Sequence, residues 1–172
     1  MDIGASTMRA WQFAKAQHTA TAAGWTAFVS MQNRYNLLNR DDEREMIPLC
    51  LDQGTGILPY SPLARGLLAR TRERSGERHP LRSGTDDLLR SRAEVFDVVD
   101  TVHAIAIQRS LPPAQIALAW LLSQPGVSAP IVGATQARHL DQAVPALDVT
   151  LTGDETARLE AGYRPHFDGE HT

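Results

Sequence analysis

Three apolar runs in this sequence end in polar residues of the kind that bind small ligands. They occupy residues 29–33, 57–67 and 130–135. The middle run passes through Tyr60 into Ser61 and Pro62 and then reaches Gly66. A turn of this composition exposes main-chain N–H groups at the end of a strand, and such groups bind anions. The expected chemistry is therefore the cradling of a phosphate group by backbone amides.

Residues for acid–base, nucleophilic or metal chemistry do not form a recognisable set. None of the six histidines in the sequence has a second histidine, a cysteine or a carboxylate at a metal-ligand spacing. A Ser-His-Asp set and a nucleophile elbow are also absent from the sequence. The sequence therefore predicts neither a catalytic residue nor a metal ligand.

Short apolar strands alternate with helical patterns along the chain, and they must position the polar ends. Strands are predicted at a very short stretch beginning with residues 2–3 and at 28–32, 57–60 and 128–133; helices are predicted at 8–23, from Asp41 to about Gly54, and at 95–106, 112–122, 137–146 and 154–161. Pro48 should disturb the second helix locally. This alternation implies crossover connections and a parallel sheet.

Composition narrows the class of protein. The chain has 172 residues, 42% of them hydrophobic and 22% charged, which is typical of a globular domain. A net charge of −3 argues against nucleic acid or an anionic membrane surface as a partner. Cys50 is the single cysteine, so we expect a buried, inert thiol in a reducing cytoplasm. The sequence has neither an apolar run long enough to span a bilayer nor a secretory signal at Met1.

Seven motifs follow one another over nearly the whole chain. They are Ile-Gly-Ala-Ser at 3–6, Ala-Trp-Gln at 10–12, Met-Gln-Asn-Arg-Tyr-Asn at 31–36, Glu-Met-Ile-Pro-Leu-Cys at 45–50, Tyr-Ser-Pro-Leu-Ala-Arg-Gly-Leu at 60–67, Ala-Gln-Ile-Ala-Leu-Ala-Trp-Leu at 114–121 and Pro-Ile-Val-Gly-Ala at 130–134. In this order and spacing they resemble the C-terminal half of aldo-keto reductases. The similar branch contains aryl-alcohol dehydrogenases and potassium-channel β subunits.

The resemblance implies an α/β fold, a partial TIM (β/α)8 barrel with roughly strands 5/6 to 8 and their helices. Residues 1–172 would form one such half, with a polar cofactor-covering loop at 69–92 and a tail at 163–172. A complete barrel needs about 250 residues, and a partial one leaves two open parallel edges. A small open α/β sheet is the alternative, although Gly4 is the only glycine where a dinucleotide fingerprint has three.

The resemblance also implies an NADP site. Ser6 and Gln32 would hydrogen-bond the nicotinamide carboxamide, and the ring of Tyr60 would stack on the nicotinamide. Backbone amides at Ser61, Leu63 and Gly66 would wrap the pyrophosphate. The adenosine end would be formed by Gly133, Thr135, Arg138, Asp141 and Gln142. Polar residues at these positions could instead be solvated surface residues.

Arg138 decides the expected cofactor. A guanidinium suits the geometry of a phosphate, so Arg138 could pair with the 2′-phosphate and favour NADP over NAD. The alternative is a solvated arginine on a helix face. The 69–92 connection contains seven arginines, and residues 82–86 resemble a loop that folds over the cofactor in this branch.

The implied activity is hydride transfer between NADPH and an aldehyde or ketone. The proton-donating tyrosine of the family and its supporting aspartate, lysine and histidine come from earlier strands, so we expect this chain to be inactive alone. The implied partners are a small carbonyl substrate and either an N-terminal half or a second copy. The alternatives are a non-catalytic nucleotide-binding or interaction module, and a remnant without a stable fold.

Overall fold

The computed structural model describes residues 1–69 and 93–165. Its strands and helices are β1 (Ile3–Ser6), α1 (Ala10–Ala22), β2 (Phe28–Gln32), a 3-10 turn (Asp41–Glu43), α2 (Met46–Asp52), β3 (Gly56–Ile57), a second 3-10 segment (Ala64–Ala69), α3 (Ala93–Arg109), α4 (Pro113–Leu122), α5 (Ala137–Ala143), a third 3-10 segment (Val144–Asp148) and α6 (Gly153–Ala161). Most of the predicted polar connection and tail, residues 70–92 and 166–172, lies outside the described residues.

Within the described residues, the sheet has three parallel strands in the order β1-β2-β3. Ala5 is in register with Met31, and Met31 is in register with Ile57. These three side chains are buried on one face of the sheet, against the helices. The predicted α/β fold with a parallel sheet is therefore confirmed, as a partial barrel.

The opposite face of the sheet carries small residues. Gly4, Ser30 and Gly56 are in register there. A Cβ atom at Gly4 would collide with the Ser30 hydroxyl, and one at Gly56 would come within 2.7 Å of Ser128 Oγ. The serine hydroxyls thus occupy the space that side chains at these two glycines would fill.

The predicted fourth strand, 128–133, is wrong as a strand. The chain from Gly126 to Ile131 does run beside β3, through Ile57 N to Gly126 O (2.9 Å), Ser128 N to Ile57 O (2.9 Å) and Ile131 N to Pro59 O (2.7 Å). Only isolated parallel bridges form, at Val127 and Ile131. Proline cannot donate to a ladder, so Pro130 and Pro59 interrupt the pairing. The same interruption ends β3 at Ile57 rather than at the predicted Tyr60.

Two helix predictions are corrected by proline. The predicted helix from Asp41 is a separate 3-10 turn followed by α2, which begins at Met46. Pro48 lies in the first turn of α2, where a missing N–H breaks no helical bond, and the predicted helix is divided just before it, as the expected local disturbance requires. The predicted helix 137–146 ends at Ala143 and continues as a 3-10 segment containing Pro145.

The core lies between the sheet and the helices, with buried side chains from α1, α2, α3, α4 and α6. Every residue of α4 from Gln115 to Leu121 is buried. The predicted helix opening at Pro112 and Pro113 is confirmed, with Pro113 at its first turn. Trp120 is fully buried and packs its ring 5.5 Å from the ring of Tyr35.

An ionic and aromatic cluster joins the segment after β2 to the end of the described chain. The Arg40 guanidinium lies 5.3 Å from the ring centroids of both Trp120 and Tyr163. It donates to Glu43 at 2.7 and 2.9 Å, and Glu160 accepts from Trp120 Nε1 at 2.9 Å. Because cation and rings are packed together, this cluster fixes α6 against α4 and the segment after β2.

Within residues 1–69 and 93–165, the helices are too short or too polar to cross a lipid bilayer. The same residues contain no group of three or more His, Cys, Asp or Glu side chains suited to holding a metal ion.

Candidate cofactor site

The carboxyl ends of the strands meet at one edge of the sheet. Ser6 ends β1 in register with Gln32, which ends β2. Ser6 Oγ donates to the main-chain oxygen of Gln32 at 3.2 Å. Tyr60 forms parallel bridges with Arg34 on one side and Ile131 on the other. The three residues predicted to contact a nicotinamide are therefore brought to the same edge, with Ser6 exposed and Gln32 and Tyr60 half-buried.

The turn after Tyr60 has an unusual backbone. Ser61, Ala64, Arg65 and Gly66 all have positive φ, at 52°, 46°, 54° and 93°. A non-glycine residue in this left-handed region costs roughly 1–2 kcal/mol. Such conformations persist only where surrounding contacts impose them, and they concentrate at ligand-binding sites. The backbone strain thus makes this turn a candidate binding element.

Buried contacts hold the turn in this shape. Ala64, Leu67 and Leu68 are all buried in the core. Within the turn, Ala64 N donates to Ser61 O at 3.0 Å and Gly66 N to Leu63 O at 2.8 Å. The Gly66 amide therefore already has a partner, and it could serve a phosphate only by sharing or exchanging this hydrogen bond.

Asn36 is a residue at this site that the sequence reasoning missed. Its side-chain Nδ2 donates to Ser61 O at 2.9 Å, and it is 1% exposed. The one sequence signal was a polar amide within the run from Tyr35 to Leu38. Burying an amide there costs more free energy than burying an apolar side chain, unless the amide is hydrogen-bonded. Its partner Ser61 is distant in sequence, so no local pattern predicts the pair.

The adenosine end is more open. Gly133, Thr135, Arg138, Asp141 and Gln142 are all exposed, and the last three belong to α5. A Cβ atom added at Gly133 would meet no atom within 4 Å, so the space around it is free. The buried Gln115 side chain donates to the main-chain oxygen of Gln142 at 2.9 Å, which anchors α5 to α4.

Burial raises the pKa of three groups inside the fold. Burial raises the pKa of Tyr35, and its hydrogen bond to Glu43 raises it further. Burial and a hydrogen bond to Asp41 raise the pKa of Tyr163 in the same way. Burial raises the pKa of the Cys50 thiol to about 11, and the predicted burial of this thiol is confirmed. Each of these groups holds its proton inside the fold.

Comparison with known proteins decides the family. The model of the aldo/keto reductase family matches residues 2–164 of the chain. The chain belongs to the aldo/keto reductase family. The predicted family is therefore confirmed, and the match covers all eleven predicted cofactor-site residues of this aldo/keto reductase chain.

Its relatives include reductases and dehydrogenases of fungi. Versiconal hemiacetal acetate reductase of Aspergillus parasiticus is 44% identical over 166 residues, which are 95% of this chain and 48% of that protein. A putative aryl-alcohol dehydrogenase of Schizosaccharomyces pombe is 42% identical over 168 residues, with 95% and 46% of the two chains covered. An aldo-keto reductase of Alternaria alternata is 40% identical over 162 residues, with 94% and 44% covered. The chain spans about half the length of the curated relatives it matches.

Proposed function

We propose that this aldo/keto reductase chain is the C-terminal, cofactor-holding half of a barrel that transfers hydride between NADPH and an aldehyde or ketone. The observation that carries the proposal is the sheet edge where Ser6, Gln32 and Tyr60 converge beside a left-handed turn. A cytoplasmic location belongs to the same proposal, because Cys50 is a free, buried thiol.

The nicotinamide end fits the residues at the strand edge. Neighbouring strands lie about 4.8 Å apart, so side chains of Ser6 and Gln32 can reach the two polar atoms of one carboxamide. The ring of Tyr60 would stack on the nicotinamide and fix which face is presented. When bound, NADPH supplies the hydride. The residues of this chain would hold and orient it.

The phosphate and adenosine ends follow along the same edge. Amides of Ser61, Leu63 and Gly66 would face the pyrophosphate, and Gly66 N would do so by sharing or exchanging its hydrogen bond to Leu63 O. The left-handed backbone of the turn supports this role. Arg138, exposed on α5, would pair with a 2′-phosphate, which favours NADP over NAD. Thr135, Asp141 and Gln142 would line the adenosine.

The general acid is proposed to come from a complementary half of the barrel. Carbonyl reduction needs a proton donor within hydrogen-bond reach of the developing alkoxide. Among the described residues, the tyrosines with strongly raised pKa, Tyr35 and Tyr163, donate to the carboxylates of Glu43 and Asp41 instead. The substrate-facing loops of a barrel come from several strands, so the complementary half would also select the carbonyl substrate.

A chimera tests this proposal. The segment of versiconal hemiacetal acetate reductase that matches this chain is replaced by residues 1–172, and NADPH oxidation is followed with an aromatic aldehyde. Turnover by the folded chimera, with NADPH preferred over NADH, is the expected result. A folded chimera that binds neither cofactor would overturn the proposal.

The second candidate is a non-catalytic nucleotide-binding or interaction module. It is favoured by a stripe of exposed apolar side chains, Leu140, Val144 and Leu147, which are 48%, 61% and 70% exposed. A second copy or another protein could cover this stripe. A chimera that binds NADPH tightly but reduces no carbonyl compound would support this reading.

A further inference from the structure

Asn36 connects the loop after β2 to the turn that follows Tyr60. Its Nδ2 donates to Ser61 O at 2.9 Å, and its Oδ1 accepts from Leu38 N at 2.9 Å. Its main-chain N–H and carbonyl exchange hydrogen bonds with Asn39 at 3.1 and 3.0 Å. Each polar group of this buried residue therefore has a partner, and its amide is fixed in one orientation.

The carbonyl that receives this hydrogen bond belongs to a residue with left-handed backbone. Ser61 has φ 52°, and its oxygen also accepts from Ala64 N at 3.0 Å. Two donors from different directions fix the plane of the peptide between Ser61 and Pro62. Without the Asn36 donor, the buried side of this carbonyl would lose its partner, and rotation of the peptide would redirect the amides that follow.

We infer that Asn36 is a positioning residue for the pyrophosphate of the cofactor, acting through the Ser61 carbonyl. The inference rests on the proposed function, since it assigns a role within the same site. Asn36 itself lies beneath the turn and is shielded from any ligand, being 1% exposed. Its contribution is to hold residues 61–66 in their binding shape before the cofactor arrives, which reduces the ordering cost of binding.

Two substitutions separate this role from general stability. Asn36→Asp keeps the acceptor for Leu38 N and removes the donor to Ser61 O, whereas Asn36→Ser is neutral and too short to reach. Gln17 offers a matched control, because it is also a buried amide that donates to a main-chain carbonyl, that of Phe28, at 2.9 Å. Gln17→Glu and Gln17→Ser make the same chemical changes at the opposite end of β2.

Amide hydrogen exchange of the 172-residue chain without cofactor gives the first readout. In both Asn36 variants, we expect exchange at Ala64 and Gly66 to accelerate at least tenfold more than exchange in α4. In the Gln17 variants, the turn and α4 should accelerate together. If exchange at Ala64 and Gly66 accelerated only as much as exchange in α4 in the Asn36 variants, the inference would be overturned. Loss of folding in both Asn36 variants while both Gln17 variants fold would also overturn it, because Asn36 would then support the whole structure.

NADPH titration of the same variants, placed in the chimera, gives the second readout. The Asn36 variants should raise the Kd for NADPH about tenfold, and the Gln17 variants less than twofold. Equal weakening by both pairs would overturn the positioning role. Absence of NADPH binding by the unsubstituted chimera would count against the proposed function, while the exchange experiment would still decide whether Asn36 holds the turn.

Discussion

At the scale of single residues, the turn after Tyr60 stores backbone strain that nearby contacts must impose. Ser61, Ala64 and Arg65 adopt a conformation that glycine would adopt more readily. The presence of non-glycine residues at these positions is therefore not explained by local backbone preference. A binding role for the turn supplies an explanation, because a strained backbone can aim amides at a ligand.

Tyr60 provides the first prediction at this scale. Tyr60→Ala in the chimera should weaken NADPH binding by roughly 1–3 kcal/mol, the usual value of a base–aromatic stack. Tyr60→Phe keeps the ring and should bind nearly as tightly as the unsubstituted chimera. Fluorescence titration with NADPH measures both. If the phenylalanine variant loses as much affinity as the alanine variant, the hydroxyl matters and stacking does not.

At the scale of helices and strands, the sequence predicted which elements exist better than it predicted where they begin and end. Helices α1, α4 and α6 appear close to where apolar spacing and end signals placed them, because those signals are local. The ends of β3 and of the segment beside it depend on which main-chain N–H groups can donate to a neighbouring strand. Pro59 and Pro130 lack such a group, so pairing stops near them. Pairing across the sheet is not encoded in the spacing of one segment.

Among the site residues too, local signals predicted some and missed those that depend on distant contacts. The edge formed by Ser6, Gln32 and Tyr60 followed from strand ends and motif resemblance. The link from Asn36 to Ser61 did not, since it joins residues from separate connections after β2 and β3. The 82–86 part of the predicted covering loop lies outside the described residues and stays a prediction.

The end of α3 gives a prediction about helix termination. Ser110 has φ 54°, and the bonds Ser110 N to Ile107 O (3.0 Å) and Leu111 N to Ala106 O (2.9 Å) form a Schellman motif. Ser110→Gly should raise the free energy of unfolding by about 1 kcal/mol, because glycine has no Cβ to strain there. Ser110→Ala, which keeps the Cβ, is the control and should give no gain. Urea denaturation measures both, and equal stability of the two variants would contradict the explanation.

The junction of α3 with α6 gives a pH prediction. Arg109 Nε donates to Glu155 Oε1 at 2.6 Å, and this contact, with further bonds from Thr152, lowers the pKa of Glu155 to about 2 from an ordinary 4.5. A carboxyl whose pKa is lower in the folded state stabilises the fold above its unfolded pKa. That contribution falls away as the pH drops from about 4.5 to about 2.

Glu155→Gln should therefore cost about 1–3 kcal/mol of unfolding free energy at pH 7. The difference from the unsubstituted chain should shrink steadily below pH 4.5. Asp154→Asn removes a carboxylate from the same turn of α6 without touching the Arg109 contact, and it serves as the control. Urea titrations at pH 7 and at about pH 2.5 test the pair. A difference that is independent of pH would rule out the ionised contact as its source.

At the scale of the whole molecule, the sheet formed by residues 1–69 and 93–165 is open at β1 and beyond residues 126–131. Open parallel edges and the exposed stripe of Leu140, Val144 and Leu147 favour association with a complementary half or a second copy. An unclosed sheet also holds its strand ends less firmly than a closed barrel does.

The isolated chain should therefore reduce no aromatic aldehyde with NADPH and should bind NADPH only weakly. A spectrophotometric assay of NADPH oxidation and a fluorescence titration measure the two properties. The chimera provides the positive control. Clear turnover, or a micromolar Kd for NADPH, by the isolated chain would contradict this prediction.

The burial of Trp120 beside Arg40 has an optical consequence. Trp120 is 0% exposed, whereas Trp11 and Trp25 are 59% and 70% exposed. Substituting both exposed residues by phenylalanine would leave one emitter, which contacts a cation and is shielded from aqueous quenchers. Its emission would then report, without any added label, whether the segment around Arg40 and α6 remain joined.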